Sequence, residues 1–125
     1  MEALVLVAED DSSVRMMIEM FLQEEGFRTI LAADGEEALR LANSELPDMI
    51  LLDQSMPKLS GKQVLVSLRE HEVTRDIPVL VLSGSSWRGQ EEWPGTDFLA
   101  KPFNPDELLS RIRKALEPVG RSSNP

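Results

Sequence analysis

The stretch MILLDQSMPKLSG, from Met49 to Gly61, carries the strongest indication of the fold. Its first four residues are all apolar, and they do not alternate with polar positions. Strands that are covered on both faces have this pattern, which is typical of a parallel sheet. The apolar run ends at Asp53, and a loop with a proline and a glycine follows. We therefore expect a buried strand with an acidic residue at its carboxyl end.

Similar short apolar runs recur at intervals of about twenty-five residues on both sides of this stretch. They cover Leu4–Ala8, Thr29–Ala32, Val79–Leu82 and Phe98–Ala100. The segments between the runs have helical spacing. In the first of them, apolar side chains stand at positions i, i+3, i+4 and i+7, beginning at Val14. The chain is thus predicted to alternate strands with amphipathic helices.

Helix start signals support this division. Asp34, Ser60 and Asn104 each precede a Glu or Gln by three positions, the spacing of a capping box. A β-α unit repeated five times, with right-handed crossovers, predicts an α/β fold: a doubly wound, five-stranded parallel sheet with helices on both faces. Between Ser83 and Lys101 the stretch from Trp87 to Gly95 has two glycines, a proline and no long apolar stripe. There we expect a fourth helix that is shortened or partly loop.

The composition excludes several classes of site. The 125 residues contain no cysteine, which excludes disulfide scaffolds, thiolate zinc sites and cysteine nucleophiles. A single histidine, His71, disfavours a multi-histidine metal site and a Ser-His-Asp triad. The net charge of −9 argues against direct nucleic-acid binding by this domain. No apolar run approaches the roughly 20 residues of a membrane span, and the N-terminus lacks a signal-peptide pattern.

From these observations we expect a soluble, cytoplasmic protein with no membrane partner. The length allows one domain, which we place at residues 1–118. Residues 119–125 have no periodicity and are expected to form a flexible tail or the start of a linker.

Polar and charged residues stand where the predicted strands end. Glu9 and Asp10 follow the first strand, Asp53 the third, Ser83 the fourth and Lys101 the fifth. In doubly wound sheets, functional groups gather beyond the carboxyl ends of the strands. Carboxylates at close quarters repel one another unless one is protonated or a cation joins them. Oxygen ligands alone favour a hard ion, Mg²⁺ before zinc or copper, and an aspartate beside Mg²⁺ and lysine can act as a nucleophile towards phosphorus.

Together these residues resemble the receiver domain of two-component response regulators. The resemblance runs from Leu4 to about Leu116. It rests on Glu9-Asp10, Asp53 in LLDQSMPKLSG, Ser83-Gly84, Lys101-Pro102-Phe103 and the stretch ADGEEAL from Ala33 to Leu39. It implies a flavodoxin-like fold and a phosphoacceptor switch, not a turnover enzyme. Its partners would be a histidine kinase or phosphotransfer protein, which supplies phospho-His, and a downstream output domain or protein.

The resemblance also implies roles for single residues. The expected phosphoacceptor is Asp53, and the reaction is expected to depend on Mg²⁺. The expected Mg²⁺ ligands are Glu9, Asp10, Asp53 and the backbone carbonyl of Ser55. Ser83 and Phe98 would form a switch pair, in which the hydroxyl turns to the phosphoryl group and the ring moves inward. Lys101 would contact the phosphoryl group.

Alternative functions stay open at this stage. A phosphatase of the haloacid dehalogenase type also uses an aspartate after a strand, but it needs a second aspartate where this chain has Ser55. A flavin carrier of flavodoxin type needs a Ser/Thr-rich loop after the first strand, which this chain lacks. A degenerate receiver would act as a phosphorylation-independent protein-interaction module.

Some side chains remain ambiguous from sequence. Asp97 and Arg111 match positions that pair across dimers in one receiver subfamily, and whether this chain forms a homodimer stays open. We expect Asp11 to cap the first helix rather than join the acids. Met16, Met17 and Met20 are interpreted as core residues. Trp87 and Trp93 fit equally well a partner-facing patch or a cover over the sheet.

Overall fold

The computed structural model describes residues 2–84 and 95–117. The strands are β1 (Leu4–Ala8), β2 (Arg28–Ala32), β3 (Met49–Asp53), β4 (Val79–Ser83) and β5 (Thr96–Ala100). The helices within the described ranges are α1 (Ser12–Glu24), α2 (Gly35–Glu45), α3 (Gly61–Glu70) and α4 (Pro105–Leu116). All neighbouring strands pair in parallel, in the order β2-β1-β3-β4-β5. The predicted doubly wound, five-stranded α/β fold is confirmed.

The strand bounds differ slightly from the apolar runs. Every residue of β3 and β4 is buried, and both strands include the polar residue that follows the run, Asp53 and Ser83. The edge strands begin earlier than expected because backbone pairing continues past the apolar residues, at Arg28 beside Leu4 and at Thr96 beside Val79. The short fourth helix is expected within residues 85–94, which lie outside the described part of the chain. Both tryptophans lie in the same segment.

Helices cover both faces of the sheet and bury its apolar side chains. On one face, α1 and α4 contribute fully buried residues: Ile18, Leu22, Leu108 and Ile112. On the other, α2 and α3 contribute Ala38, Ala42, Val64, Leu65 and Leu68. Each buried large aliphatic side chain stabilises the fold by roughly 1.5–3 kcal/mol relative to exposure. Two-sided burial explains why the central strands are continuously apolar.

The methionines of α1 correct one expectation. Met16, Met17 and Met20 are 56–58% exposed, so their interpretation as core residues is wrong. The buried stripe of this helix runs through Ile18 and Leu22. The helix is therefore turned so that the three methionines lie outside the arc that faces the sheet.

The expected capping residues start their helices. The Gln63 N–H donates to Ser60 Oγ at 3.2 Å and the Ser60 N–H donates to Gln63 Oε1 at 2.9 Å, a complete capping box. Asp34 and Asn104 each accept from a backbone N–H three residues on, at 2.8 and 2.7 Å. Asp11 accepts from two backbone N–H groups of α1 and is its N-cap, as expected.

The strand order fixes where a ligand can bind. β1 lies between β2 and β3, so the connection from β1 to β2 runs to one side of the sheet and the later connections run to the other. In open α/β sheets, ligands bind beyond the carboxyl ends of the strands at this switch point. Among residues 2–84 and 95–117, no helix has the length and apolar character needed to cross a membrane.

Candidate functional site

Three acidic residues meet at the carboxyl ends of β1 and β3. Because Ala8 pairs with Leu52, the residues that follow, Glu9 and Asp53, stand side by side. With Asp10 they offer carboxylate oxygens that all lie within 4.8 Å of one another. The fold therefore concentrates three formal negative charges at the switch point.

Burial gives this cluster an unusual charge balance. Glu9 and Asp53 are 2% and 4% exposed, whereas Asp10 is exposed. Burial raises the pKa of the Glu9 carboxyl above its usual range, because the charged form loses its hydration. The Asp11 N–H, 3.1 Å from Glu9 Oε2, and Lys101 oppose this rise, while Asp53 and Asp10 add to it. The carboxylate of Glu9 is thus held in an environment with too little positive charge to offset its burial.

Lys101 supplies part of that charge from the end of β5. Its Nζ donates to Asp53 Oδ1 at 2.8 Å and lies 3.6 Å from Glu9 Oε1. Burial alone favours the neutral amine, but the hydrogen bond and charge of Asp53, together with Glu9, outweigh it and raise the pKa of Lys101. The Lys101 backbone N–H donates to Ser83 O at 2.9 Å, which fixes the lysine beside the end of β4. The site therefore contains a charged lysine.

The donor set fits a hard divalent cation. Within the described residues, Glu9 Oε1 is buried and has no hydrogen-bond partner, since 3.6 Å to Lys101 Nζ is too long. An unsatisfied buried carboxylate oxygen is costly, and one lysine does not balance three carboxylates. Oxygen-only donors that leave open positions match Mg²⁺ better than softer metals. The acidic cluster can therefore hold a metal ion.

The other expected site residues lie around this cluster. Ser83 is buried at the end of β4, and its Oγ donates to Gln54 Oε1. Phe98 is half-buried on β5 and packs on the sheet face covered by α2 and α3. Ser55 is exposed in the turn that follows β3. The structure thus gathers the acids and Lys101 tightly and places Ser83 one strand away.

Arg15 supports the acidic turn and was not singled out from sequence. Its Nη1 donates to Glu9 O at 2.7 Å and to Asp10 O at 3.3 Å. The guanidinium thereby holds the backbone that carries both acids. In the sequence, its position in the first turn of α1, shortly after three consecutive acids, is the feature that could have indicated this role.

The loop after β3 is anchored on α2, a contact that sequence reasoning also missed. Lys58 has a positive φ of 74° and its Nζ lies 3.6 Å from Asp34 Oδ2. A Cβ at Gly35 would lie 2.6 Å from Leu59 Cβ, so this position admits only glycine without rearrangement. These contacts fix the loop that contains Ser55.

The Asp97 and Arg111 side chains meet within the chain. Arg111 Nη1 lies 3.1 Å from Asp97 Oδ2 and donates to Phe98 O at 2.7 Å. The pair therefore ties α4 to β5, beside Phe98.

A family model and curated relatives match this chain. The model described as response regulator receiver domain matches residues 5–113. The phosphate regulon transcriptional regulatory protein PhoB of Escherichia coli is 36% identical over 122 residues, which cover 92% of this chain and 52% of PhoB. The alkaline phosphatase synthesis transcriptional regulatory protein PhoP of Bacillus subtilis is 34% identical and covers 90% of this chain and 48% of PhoP. The chain spans about half the length of these relatives.

Solved structures share the fold. A putative response regulator from Chloroflexus aurantiacus is 32% identical with a TM-score of 0.85, covering 93% of this chain and 98% of that one. The receiver domain of sensor histidine kinase PA1611 from Pseudomonas aeruginosa is 31% identical with a TM-score of 0.84, at 93% and 98% coverage. That structure is described with a magnesium ion coordinated in the active site cleft.

Proposed function

The chain belongs to the response regulator receiver domain family of two-component signal transduction, and we propose that its phosphoacceptor is Asp53. The donor is the phosphohistidine of a histidine kinase or phosphotransfer protein. The observation that carries this proposal is the Asp53 carboxylate at the switch point, bound by Lys101 Nζ at 2.8 Å and flanked by Glu9 and Asp10. Receiver domains are signalling domains rather than turnover enzymes, and this chain is proposed to act accordingly.

The geometry suits nucleophilic attack on phosphorus by a carboxylate. A bond forms between an Asp53 oxygen and phosphorus as the phosphorus–nitrogen bond to the donor's imidazole breaks, and the imidazole leaves with the electron pair. The transferring group spreads negative charge over its equatorial oxygens, so positioning and charge neutralisation supply most of the catalysis. Lys101, already aimed at Asp53, neutralises one of these oxygens.

Mg²⁺ is the proposed cofactor. Its ligands are Glu9, Asp10, Asp53 and the backbone carbonyl of Ser55. When bound, it neutralises charge on the phosphoryl oxygens. Two observations support this assignment: Glu9 Oε1 has no hydrogen-bond partner among the described residues, and the donor set is all oxygen. Arg15 and the Lys58 anchor hold the two backbone segments that supply the ligands.

Ser83 and Phe98 are proposed to convert phosphorylation into a change of surface. The Ser83 hydroxyl turns to the phosphoryl group and the Phe98 ring moves inward. Their placement supports this, because Ser83 ends the strand next to β3 and Phe98 lies on the following strand, paired with Val81. The ring is half-buried and so lies at the boundary between core and solvent.

The wider context is proposed from the relatives. Residues 1–118 form the receiver and residues 119–125 a tail or linker, and the domain acts on a downstream output domain or protein. We place the domain in the cytoplasm and propose that it binds neither nucleic acid nor a membrane directly. A degenerate receiver is disfavoured because the acids, the hydroxyl and the lysine are all in place.

Intact-mass analysis tests the proposal. The protein is incubated with phosphoramidate or acetyl phosphate, in Mg²⁺ or in EDTA. We expect one hydroxylamine-labile phosphoryl adduct in Mg²⁺, none in EDTA and none for Asp53→Asn. The matched control Asp106→Asn, an exposed acid on α4, should be labelled as the wild type is. Absence of the adduct, under conditions that label a receiver of established activity, would contradict the proposal.

A further inference from the structure

Gln54, the residue after the proposed phosphoacceptor, lies opposite Ser83. Asp53 pairs with Leu82 across the parallel strands β3 and β4. The residues that follow them, Gln54 and Ser83, therefore stand side by side. The Gln54 N–H donates to Leu82 O at 2.9 Å, which continues the ladder by one step. The Ser83 Oγ donates to the side-chain oxygen of Gln54. A side chain of the β3–α3 loop thus binds the hydroxyl assigned to the switch.

The backbone on both sides of this contact is fixed. The Gly61 N–H donates to Gln54 O at 2.8 Å, and a Cβ at Gly61 would lie 2.8 Å from Gln54 Cα. The start of α3 is therefore packed directly on Gln54. On the other strand, Ser83 O accepts from the Lys101 N–H at 2.9 Å. With both backbones held, the hydroxyl can leave Gln54 only by side-chain rotation.

The chemistry of a hydroxyl makes this contact exclusive. Serine has one O–H proton, so the donor that binds Gln54 Oε1 cannot at the same time bind a phosphoryl oxygen. Ser83 is 4% exposed, and a buried hydroxyl is held firmly by an acceptor because water does not replace it freely. Phosphorylation at Asp53 therefore has to compete with Gln54 for this proton.

From this competition we propose that Gln54 is a positioning residue that holds Ser83 in the unswitched state and so sets the switching equilibrium. The inference rests on the proposed function, with Asp53 as acceptor and Ser83 as switch. Loss of the Gln54 acceptor removes the hydrogen bond that Gln54 makes to the Ser83 hydroxyl, and this favours the switched state. Because a hydrogen bond contributes about 1 kcal/mol net, the ratio of switched to unswitched molecules should rise roughly fivefold. The apparent affinity for a phosphoryl mimic should rise by the same factor.

Beryllofluoride binding in the presence of Mg²⁺ tests this inference, measured by ¹⁹F NMR on the full chain. Gln54→Met keeps the side-chain length and removes the amide acceptor. It should bind beryllofluoride roughly fivefold more tightly than the wild type. Gln54→Leu is a second variant with the same expected direction. Gln23→Met, an exposed glutamine on α1, controls for the substitution itself and should bind as the wild type does.

A double-mutant cycle separates positioning from a merely structural role. In a Ser83→Ala background, Gln54→Met should leave beryllofluoride affinity unchanged, because the hydroxyl that Gln54 holds is absent. Equal affinity of both Gln54 variants and the wild type would overturn the inference. So would an effect that persists in the Ser83→Ala background. If the wild type itself binds no beryllofluoride, the proposed function fails instead.

Discussion

Replacement of Lys101 by methionine tests the electrostatic account of the site. In the wild type, Lys101 Nζ lies 2.8 Å from Asp53 Oδ1 and 3.6 Å from Glu9 Oε1. Both acidic side chains are at most 5% exposed, whereas the lysine side chain is 33% exposed. Removal of one partner from a fully buried ion pair costs about 3–5 kcal/mol, whereas an exposed ion pair stabilises a protein by at most about 1 kcal/mol. For this intermediate case we expect Lys101→Met to lower the free energy of unfolding by about 2 kcal/mol.

Urea denaturation in EDTA and in Mg²⁺ measures this effect. In EDTA the free energy of unfolding of Lys101→Met should show its full decrease relative to the wild type. In Mg²⁺ the gap between variant and wild type should narrow, because a divalent cation supplies the missing positive charge. The wild type itself should gain about 1.4 kcal/mol at a Mg²⁺ concentration ten times its dissociation constant. Lys114→Met on the exposed face of α4 is the matched control, expected within about 0.5 kcal/mol of the wild type.

The pH dependence has a definite sign. The folded-state pKa of Lys101 is raised, mainly because the hydrogen bond and charge of Asp53 outweigh the effect of burial. Its stabilising contribution is therefore fully present below the ordinary lysine pKa of about 10.4, and it is lost as the pH rises through the folded value. Above neutral pH, the difference in stability between the wild type and Lys101→Met should shrink only in that alkaline range. Equal stability of Lys101→Met and Lys114→Met in EDTA at neutral pH would contradict this stabilising role of Lys101.

Three further substitutions probe other parts of the account. Glu9→Gln should stabilise the protein in EDTA at neutral pH and lose most of the Mg²⁺ response in thermal melts. Burial is the main cause of the raised pKa of Glu9 in the folded state. The wild type therefore loses stability as the pH rises from about 4.3, the ordinary pKa of glutamate, through the folded-state pKa, whereas a neutral glutamine loses none. Gly35→Ala should lower the free energy of unfolding by about 1–3 kcal/mol in urea titrations, since its Cβ would meet Leu59. Asp11→Ala removes the N-cap of α1 and should cost about 1 kcal/mol by the same measurement.

The fold was predictable because burial on two faces leaves a simple pattern. The run from Met49 to Leu52 has no polar position, and the structure buries each of these residues completely. Much of the site followed from the same geometry, since parallel strands end at one edge and carry their terminal residues there. Glu9, Asp53 and Lys101 meet for that reason.

Other features depend on rotations that one sequence does not fix. The methionines of α1 lie outside the arc of Ile18 and Leu22, and their own helical spacing does not say which side of the helix faces the sheet. The Ser83–Gln54 contact depends on the strand register to a single residue and on the side-chain torsions of both residues. Nothing in the local pattern marks Gln54 as an acceptor. The role of Trp87 and Trp93 stays a prediction, because they lie outside the described residues.

The position of the phosphoryl group tests the assignment of Asp53 as the phosphoacceptor. After incubation with phosphoramidate and Mg²⁺, borohydride reduction converts an acyl phosphate to an alcohol, which marks the modified carboxyl group. Tandem mass spectrometry of the tryptic peptide Leu41–Lys58 then shows which acid reacted, with the exposed Glu45 and Asp48 as internal controls. We expect reduction at Asp53 alone, and only when Mg²⁺ is present. Reduction at Glu45 or Asp48, or an unmodified Asp53, would contradict it.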